Sequence, residues 1–342
     1  MKRLIQIFSC LLALAVPSLA QNDGAILRRI QERGELLCGV NAVLPGFGAQ
    51  NDAGDYVGFD TDFCRAVAAA ILGDANAVAF RSLTSAERPV ALASGEVDMI
   101  SRNTTWTLSR DTEWGATFAP TTFYDGQGIM VKVDFGAASL EELADESITI
   151  CANAGSTTEL NITDLINSLE ADWTLKTFQD TDAGMDAYEA GACDAITSDV
   201  SQLISRKATS ADPGSHLILP DVISKEPLGP LSPQSDASFA DVIRWTIYGM
   251  IIAEELGINS MNISDYMSSD DAEIGRLLGL GDNVAGGYLG IKDGFMVDVI
   301  SQLGNYGELF DRHLGPDTIF ALERGLNALW TDGGLLYAAP FR

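Results

Sequence analysis

The chain has 342 residues, with 48 acidic against 21 basic side chains and a formal net charge of −27 at pH 7. Such an acidic excess repels nucleic acid and anionic lipid headgroups, so neither is an expected partner. The length exceeds the roughly 250–300 residues that one core holds, so two domains are expected.

Met1-Lys2-Arg3 is followed by a largely apolar run from Leu4 to Val16 and then by Pro17-Ser18-Leu19-Ala20. This order predicts an export signal over residues 1–20, cleaved after Ala20. The apolar run is shorter than the roughly 20 residues a bilayer span needs. Past the signal stand four cysteines, Cys38, Cys64, Cys151 and Cys193. An even number in an exported chain points to disulfides. Three pairings are possible. The local one, Cys38–Cys64 with Cys151–Cys193, keeps each bridge inside one domain, where each would contribute roughly 3–4 kcal/mol. No C-x-x-C spacing occurs and the only histidines are His216 and His313, so no metal is expected.

Ile26, Leu27 and Ile30 predict a helix within 21–35, and Leu36-Leu37-Cys38-Gly39-Val40 a first strand. Residues 44–48 read as a loop and 51–55 as a turn. Phe63, Val67, Ala70 and Ile71 predict a helix over 60–72. A strand at 77–80, a helix at 87–93 closed by Gly95 and a strand at 97–100 follow. This β-α-β-α-β order implies a mostly parallel sheet. After a strand at 128–133 the pattern recurs: strand 147–152, helix 157–169, strand 174–178, helix 183–190 and strand 194–197. Ser94-Gly95-Glu96-Val97-Asp98-Met99-Ile100 is echoed by Ala190-Gly191-Ala192-Cys193-Asp194-Ala195-Ile196 at its glycine, aspartate and isoleucine. Three prolines between 221 and 233 suggest a crossing between lobes. A long amphipathic helix is predicted over 237–256, then helices over 298–309 and 318–329. The aromatics of that last third, Tyr288, Phe295, Tyr306, Phe310, Phe320 and Trp330, are expected to cover the first lobe.

The strand at 97–100 runs abruptly into Ser101-Arg102-Asn103-Thr104-Thr105-Trp106-Thr107-Leu108-Ser109-Arg110. Clustered donors at a strand end are where open α/β sheets bind ligands. An arginine there can grip a carboxylate in a two-point fork. Arg110 beside Asp111 and Glu113 also reads as a solvated helix start, and Trp106 as packing. Arg102 fits either an acidic ligand group or a protein carboxylate.

That loop, with Gly58-Phe59-Asp60-Thr61-Asp62-Phe63, Thr84-Ser85-Ala86-Glu87-Arg88 and Glu226-Pro227-Leu228-Gly229-Pro230, resembles the periplasmic amino-acid-binding proteins of ABC transporters. These are family 3 of the bacterial solute-binding proteins, and the general L-amino-acid subgroup matches best, over nearly the whole chain past the signal. The resemblance implies an α/β, two-lobed periplasmic binding protein of type II, each lobe a mostly parallel sheet flanked by helices. Lobe one would hold 21–127 and 228–342, lobe two 128–227, with hinge crossings near 127–130 and 225–230. It implies that Arg110 holds a ligand α-carboxylate, with Thr105 assisting and Asn103 bordering. Ser156 and Thr157, at a helix start in Gly155-Ser156-Thr157-Thr158-Glu159, would bind the same group. Asp199 would receive the α-ammonium, Phe47 would pack over the ligand and Ser85 would line the pocket. From the residues alone, Asp199, Ser156 and Thr157 also read as helix caps and Phe47 as core. The implied role is a periplasmic monomer that captures free L-amino acids and passes them to an inner-membrane ABC permease, with no cofactor and no catalysis. The alternatives are a dehydratase-like enzyme on the same fold and a ligand-presenting sensor domain. Against an enzyme, neither histidine stands at a promising position and no G-x-S-x-G motif is present.

Overall fold

A computed structural model describes residues 24–342. The expected signal and its cleavage site lie outside the described residues. Helix α1 (Ala25–Arg33) leads into β1 (Leu36–Val40). A small antiparallel sheet follows, made of β2 (Val43–Leu44), β3 (Gly48–Gln50) and β4 (Tyr56–Val57). The stretch at 44–48, read as loop from its glycines and proline, is therefore a hairpin turn with strand on both sides. Next come α2 (Phe59–Leu72), β5 (Val78–Ser82), α3 (Arg88–Ser94), β6 (Met99–Ile100), α4 (Leu108–Glu113) and β7 (Ala116–Phe118). β8 (Phe123–Asp125) carries the chain to β9 (Gln127–Lys132), α5 (Leu140–Ala144), β10 (Ile148–Asn153), α6 (Thr157–Leu169) and β11 (Trp173–Phe178). α7 (Thr181–Glu189), β12 (Ala195–Asp199), α8 (Val200–Thr209) and β13 (His216–Ile218) complete that part. β14 (Glu226–Leu228) brings the chain back to β15 (Leu231–Pro233), α9 (Ala237–Glu255), α10 (Ala272–Leu278), α11 (Ala285–Leu289), α12 (Phe295–Leu303) and α13 (Tyr306–His313).

The strands form two five-stranded sheets of matching plan, β5-β1-β6-β15-β7 and β11-β10-β12-β9-β13. In each, the first three strands are parallel and the fourth is antiparallel. In the first sheet that reversed place is filled by β15, which has just returned from the second. In the second sheet it is filled by β9, which has just arrived from the first. The two crossing strands, β8 and β14, pair with each other, Asp125 opposite Glu226. Each sheet changes winding direction about its central parallel strand, and ligands bind beyond the strand ends at such a point.

The repeated Gly-x-x-Asp has one physical job in both lobes. Gly95 and Gly191 adopt positive φ (73° and 74°) just past a helix, where glycine carries no Cβ penalty. The aspartate three residues on exchanges two hydrogen bonds with the central strand's edge. Asp98 N donates to Leu37 O and its carboxylate accepts Leu37 N at 2.9 Å. Asp194 does the same with Thr149, at 2.8 Å for each bond. A disulfide then ties each unit: Cys38–Cys64 joins β1 to α2, and Cys151–Cys193 joins β10 to the segment before β12, with Cα separations of 6.2 and 5.8 Å.

α9 packs on α2, α12 and α13, within a core that includes Phe59, Phe63, Phe239, Phe295, Tyr306 and Phe310. Two expected helices differ. The one at 298–309 is broken into α12 and α13, because Asn305 and Glu308 form a capping box that starts a new helix after Gly304. Residues 318–329 are largely irregular. Asn327 donates to Tyr124 O (3.1 Å) and accepts from Tyr124 N (2.6 Å), so satisfying the edge of β8 outweighs helical periodicity there. Tyr288 and Trp330 are exposed rather than covering the first lobe. Buried Asp236 accepts from Phe239 N (3.0 Å), capping α9, and also from Gly24 N (2.9 Å) and Ile26 N (2.6 Å). Asp236→Ala would strand three backbone donors, so it should lower the unfolding free energy by about 3 kcal/mol or more. Urea titration followed by circular dichroism measures this; a loss below about 1 kcal/mol would show that the three bonds are readily replaced.

Candidate functional site

The strand ends of the two sheets face each other across a narrow cleft. On the first side, Asn103 turns the chain at φ 35°, its N–H held by the Asp60 carboxylate at 2.6 Å. Thr107 then caps α4 by accepting from Arg110 N, which sets the Arg110 side chain one turn back beneath the loop. Arg110 Nη1 donates to Thr105 O at 3.0 Å, and its guanidinium lies 5.2 Å from the Trp114 ring centroid. Arg88, at the start of α3, stacks near the same ring and donates to Ser85 O and Thr104 Oγ1. Arg102 donates to Leu83 O and Ser85 Oγ.

On the facing side, β10 ends in Asn153 and the chain turns into α6. A Cβ at Gly155 would stand 3.3 Å from Ala86 of the opposite lobe, in a backbone at φ 72°. The close approach therefore favours glycine. Ser156 caps α6, accepting from Glu159 N at 3.0 Å. Thr157 Oγ1 reaches across to Thr105 Oγ1 (3.2 Å) and donates to Glu226 Oε2 (2.9 Å). Asp199 ends β12 and occupies a cap position without making a cap bond. Its Oδ2 accepts from Gln202 Nε2 at 2.6 Å, while buried Oδ1 has no partner among the described residues. The partly open space between the lobes is about 20 Å³, roughly one water molecule.

Of the eight residues singled out from sequence, seven line this space: Ser85, Asn103, Thr105, Arg110, Ser156, Thr157 and Asp199. Phe47 does not. It is 1% exposed and packs edge-on against Phe59 and Phe123, because the hairpin turn folds inward over α2. Arg88, Asn153 and Gln202 also line the space and were not singled out. Gln202 lies three residues past Asp199, in the first turn of the helix that Asp199 precedes, a spacing that could have found it. Nothing local marks Asn153.

Burial holds Asp60 up at about 7, only partly offset by the Asn103 N–H and Arg102. Burial likewise raises Asp125 to about 6 and pushes Asp199 well above the carboxylate range, with repulsion from Asp125 and Glu226 adding to the latter. Burial opposes the charge on Arg110 as well. An ammonium at Asp199 Oδ1 and an anion at Arg110 would relieve both penalties at once. Neither histidine belongs to the cleft: His313 pairs with Asp62 at 2.7 Å and His216 with Glu189 at 2.9 Å. Among the described residues no group of three or more His, Cys, Asp or Glu is placed to hold a metal ion.

The family described as bacterial extracellular solute-binding proteins, family 3, matches residues 36–212. The chain is 43% identical to the general L-amino acid-binding periplasmic protein AapJ of Rhizobium johnstonii, over 92% of each chain. It is 44% identical to the glutamate/glutamine/aspartate/asparagine-binding protein BztA of Rhodobacter capsulatus, over 96% of this chain and 97% of that one. Among solved structures, an ABC transporter periplasmic binding protein from Brucella ovis with glutathione bound is 44% identical, with a TM-score of 0.89 over 92% of this chain and 99% of that one.

The raised carboxyls set a sign for stability. Asp60 takes up its proton at about 7 when folded and near 3.8 when unfolded. Between those values the folded chain binds more protons, so unfolding free energy falls as pH rises through that window. Asp60→Asn should flatten this slope, changing the difference between pH 5 and pH 8 by about 1 kcal/mol or more. Urea midpoints across that range check it; an unchanged slope would remove Asp60 as its source.

Proposed function

The chain belongs to family 3 of the bacterial extracellular solute-binding proteins, and from that premise we propose that its cleft captures free L-amino acids for delivery to an inner-membrane ABC permease. The family and the relatives are transport binding proteins, so the enzymatic alternative falls. In this reading the protein acts as a periplasmic monomer after cleavage at Ala20, with lobes over 21–127 plus 228–342 and over 128–227, hinged where β8 pairs with β14.

The observation that carries the reading is the pair of unmet polar groups on opposite sides of the cleft. Among the described residues, buried Arg110 donates from its guanidinium to Thr105 O alone, and Asp199 keeps one carboxylate oxygen without a partner. A zwitterion taken from water needs both of its charges paired. Arg110, with Thr105 and the start of α6 at Ser156 and Thr157, answers the α-carboxylate. Asp199 answers the α-ammonium. Because the partners sit on different lobes, only the closed form satisfies the ligand, and differential affinity drives closure. Cross-lobe bonds already join the two sides, Thr105 to Thr157 and Asn153 to Ser85, so the lobes must part for entry. The names of two relatives support the ligand class, one general for L-amino acids and one for glutamate, glutamine, aspartate and asparagine. The Brucella relative favours a second reading, a γ-glutamyl peptide such as glutathione.

Titration calorimetry with the L-amino acids and with glutathione separates these readings, and silence with every one of them at tens of micromolar would sink both. Arg110→Ala should weaken amino-acid binding by about 3–5 kcal/mol, since it leaves a desolvated carboxylate unpaired. Asp199→Asn should weaken amino acids more than the corresponding des-amino acids; equal losses would contradict the ammonium role.

A further inference from the structure

Three carboxylates meet where the crossing strands reach the cleft. Asp125 ends β8, Glu226 begins β14 opposite it, and Asp199 ends β12, where the other two oppose its charge. Arg110 and Arg88 are the cations that act on Asp199 from the facing side, and their bonds go to Thr105 O, Ser85 O and Thr104 Oγ1. Its neighbours Gln127 on β9 and Gln202 on α8 are neutral. Glu159 of α6 is turned to Gly155 N, and Asp182 of α7 to Arg206 of α8.

The three carboxylates are unequally supplied with donors. Glu226 accepts from the Thr157 hydroxyl (2.9 Å), Asn161 Nδ2 (2.8 Å) and the Ser224 hydroxyl (2.5 Å). Asp125 accepts from Gly126 N (2.8 Å), Ser201 N (3.4 Å) and the Ser201 hydroxyl. Asp199 has Gln202 Nε2 alone, and its buried Oδ1 has no partner among the described residues. An ionised carboxylate can only accept, so Glu226 and Asp125 are furnished as anions and Asp199 is not. A third negative charge beside two others adds repulsion. In the empty cleft near neutral pH the lowest-energy arrangement therefore keeps Asp125 and Glu226 charged and Asp199 neutral. Burial and the two neighbouring carboxylates push Asp199 well above the usual carboxylate range, whereas Asp125 ionises at about 6.

We propose that the empty cleft carries a proton on Asp199 Oδ1 and that the ligand's α-ammonium takes its place, so that capture of an amino acid releases one proton. The inference rests on the cleft being an amino-acid site. In the exchange the Asp199 O–H bond breaks, its electron pair stays on Oδ1, and the proton passes to the surrounding buffer. The ligand remains an ammonium throughout. It brings a full positive charge and three N–H donors where a single proton stood, which supplies the partner that Oδ1 lacks. A ligand of the same shape without the ammonium has nothing to exchange and leaves the proton where it is. Because capture and proton loss are linked, affinity falls as pH is lowered. The competing arrangement has Asp199 already ionised in the empty cleft, and then no proton moves.

Titration calorimetry of the full protein with L-glutamine and L-alanine, whose side chains do not titrate, counts the protons. Runs at about pH 7.5 in phosphate, imidazole and Tris, which differ in their own ionisation heats, should give binding heats whose dependence on the buffer corresponds to about one proton released per site. Glutaramate, the des-amino counterpart of glutamine, should release none. Infrared difference spectra assign the proton even where a variant binds weakly. The empty wild type should show a protonated-carboxyl band that L-glutamine abolishes and that unliganded Asp199→Asn lacks. Binding heats that do not depend on the buffer would overturn the exchange and leave the amino-acid reading standing. So would a ligand-sensitive band that persists in Asp199→Asn. Failure of every L-amino acid to bind would overturn that reading and this inference together.

Discussion

Taking a charge out of water costs several kcal/mol unless an opposite charge or a full set of hydrogen bonds replaces the hydration. The cleft of this protein holds buried guanidinium groups on one side and a buried carboxylate with an open oxygen on the other. No hydrogen bond or ion pair joins Arg110 to Asp199 among the described residues, so each side keeps bonding capacity that the proposed zwitterion would fill. This constraint explains why polar loops end strands that are otherwise apolar. It also explains why Trp114 stands beside two of the arginines: an aromatic face gives a desolvated cation a partner without neutralising it.

The fold is arranged to bring those two half-sites together. Two sheets of the same plan present their strand ends to one another, and each borrows its reversed strand from the stretch of chain that has just crossed over. The crossing strands β8 and β14 pair directly, and both place a carboxylate, Asp125 and Glu226, beside the cleft. Glu226 is bonded to Thr157 of the second lobe, so the crossing strands and the start of α6 share one hydrogen-bond network.

Much of this was legible in the residues. The alternation of strand and helix is strong, and the repeated Gly-x-x-Asp marks the same junction in both lobes because the same two backbone groups need satisfying there. Asp199 ends β12, and Arg110 lies in the short helix reached by the polar loop that leaves β6, the ends of strands being where α/β proteins place ligand groups. What escaped depends on tertiary partners. Glycines around Phe47 suggest an open loop, yet the ring has Phe59 and Phe123 to pack on and turns inward. The pattern over 318–329 looks helical, but Asn327 finds the unpaired edge of β8 some 200 positions earlier. Arg88 sits in an ordinary helix start, and only its burial beside Trp114 exposes its kinship with Arg102 and Arg110.

The exchanged strands also impose an order on the chain's construction. The second sheet is complete once residues 127–218 exist, since all five of its strands lie in that stretch. The first sheet cannot close then. β15, which separates β6 from β7, begins only at Leu231, so a slot stays open between two strands already made. The contacts that fill it span more than 110 residues, and such long-range pairings form late. A chain emerging from its N-terminus thus carries a finished inner unit nested within an unfinished outer one, whose exposed edges must be shielded until the return strand arrives.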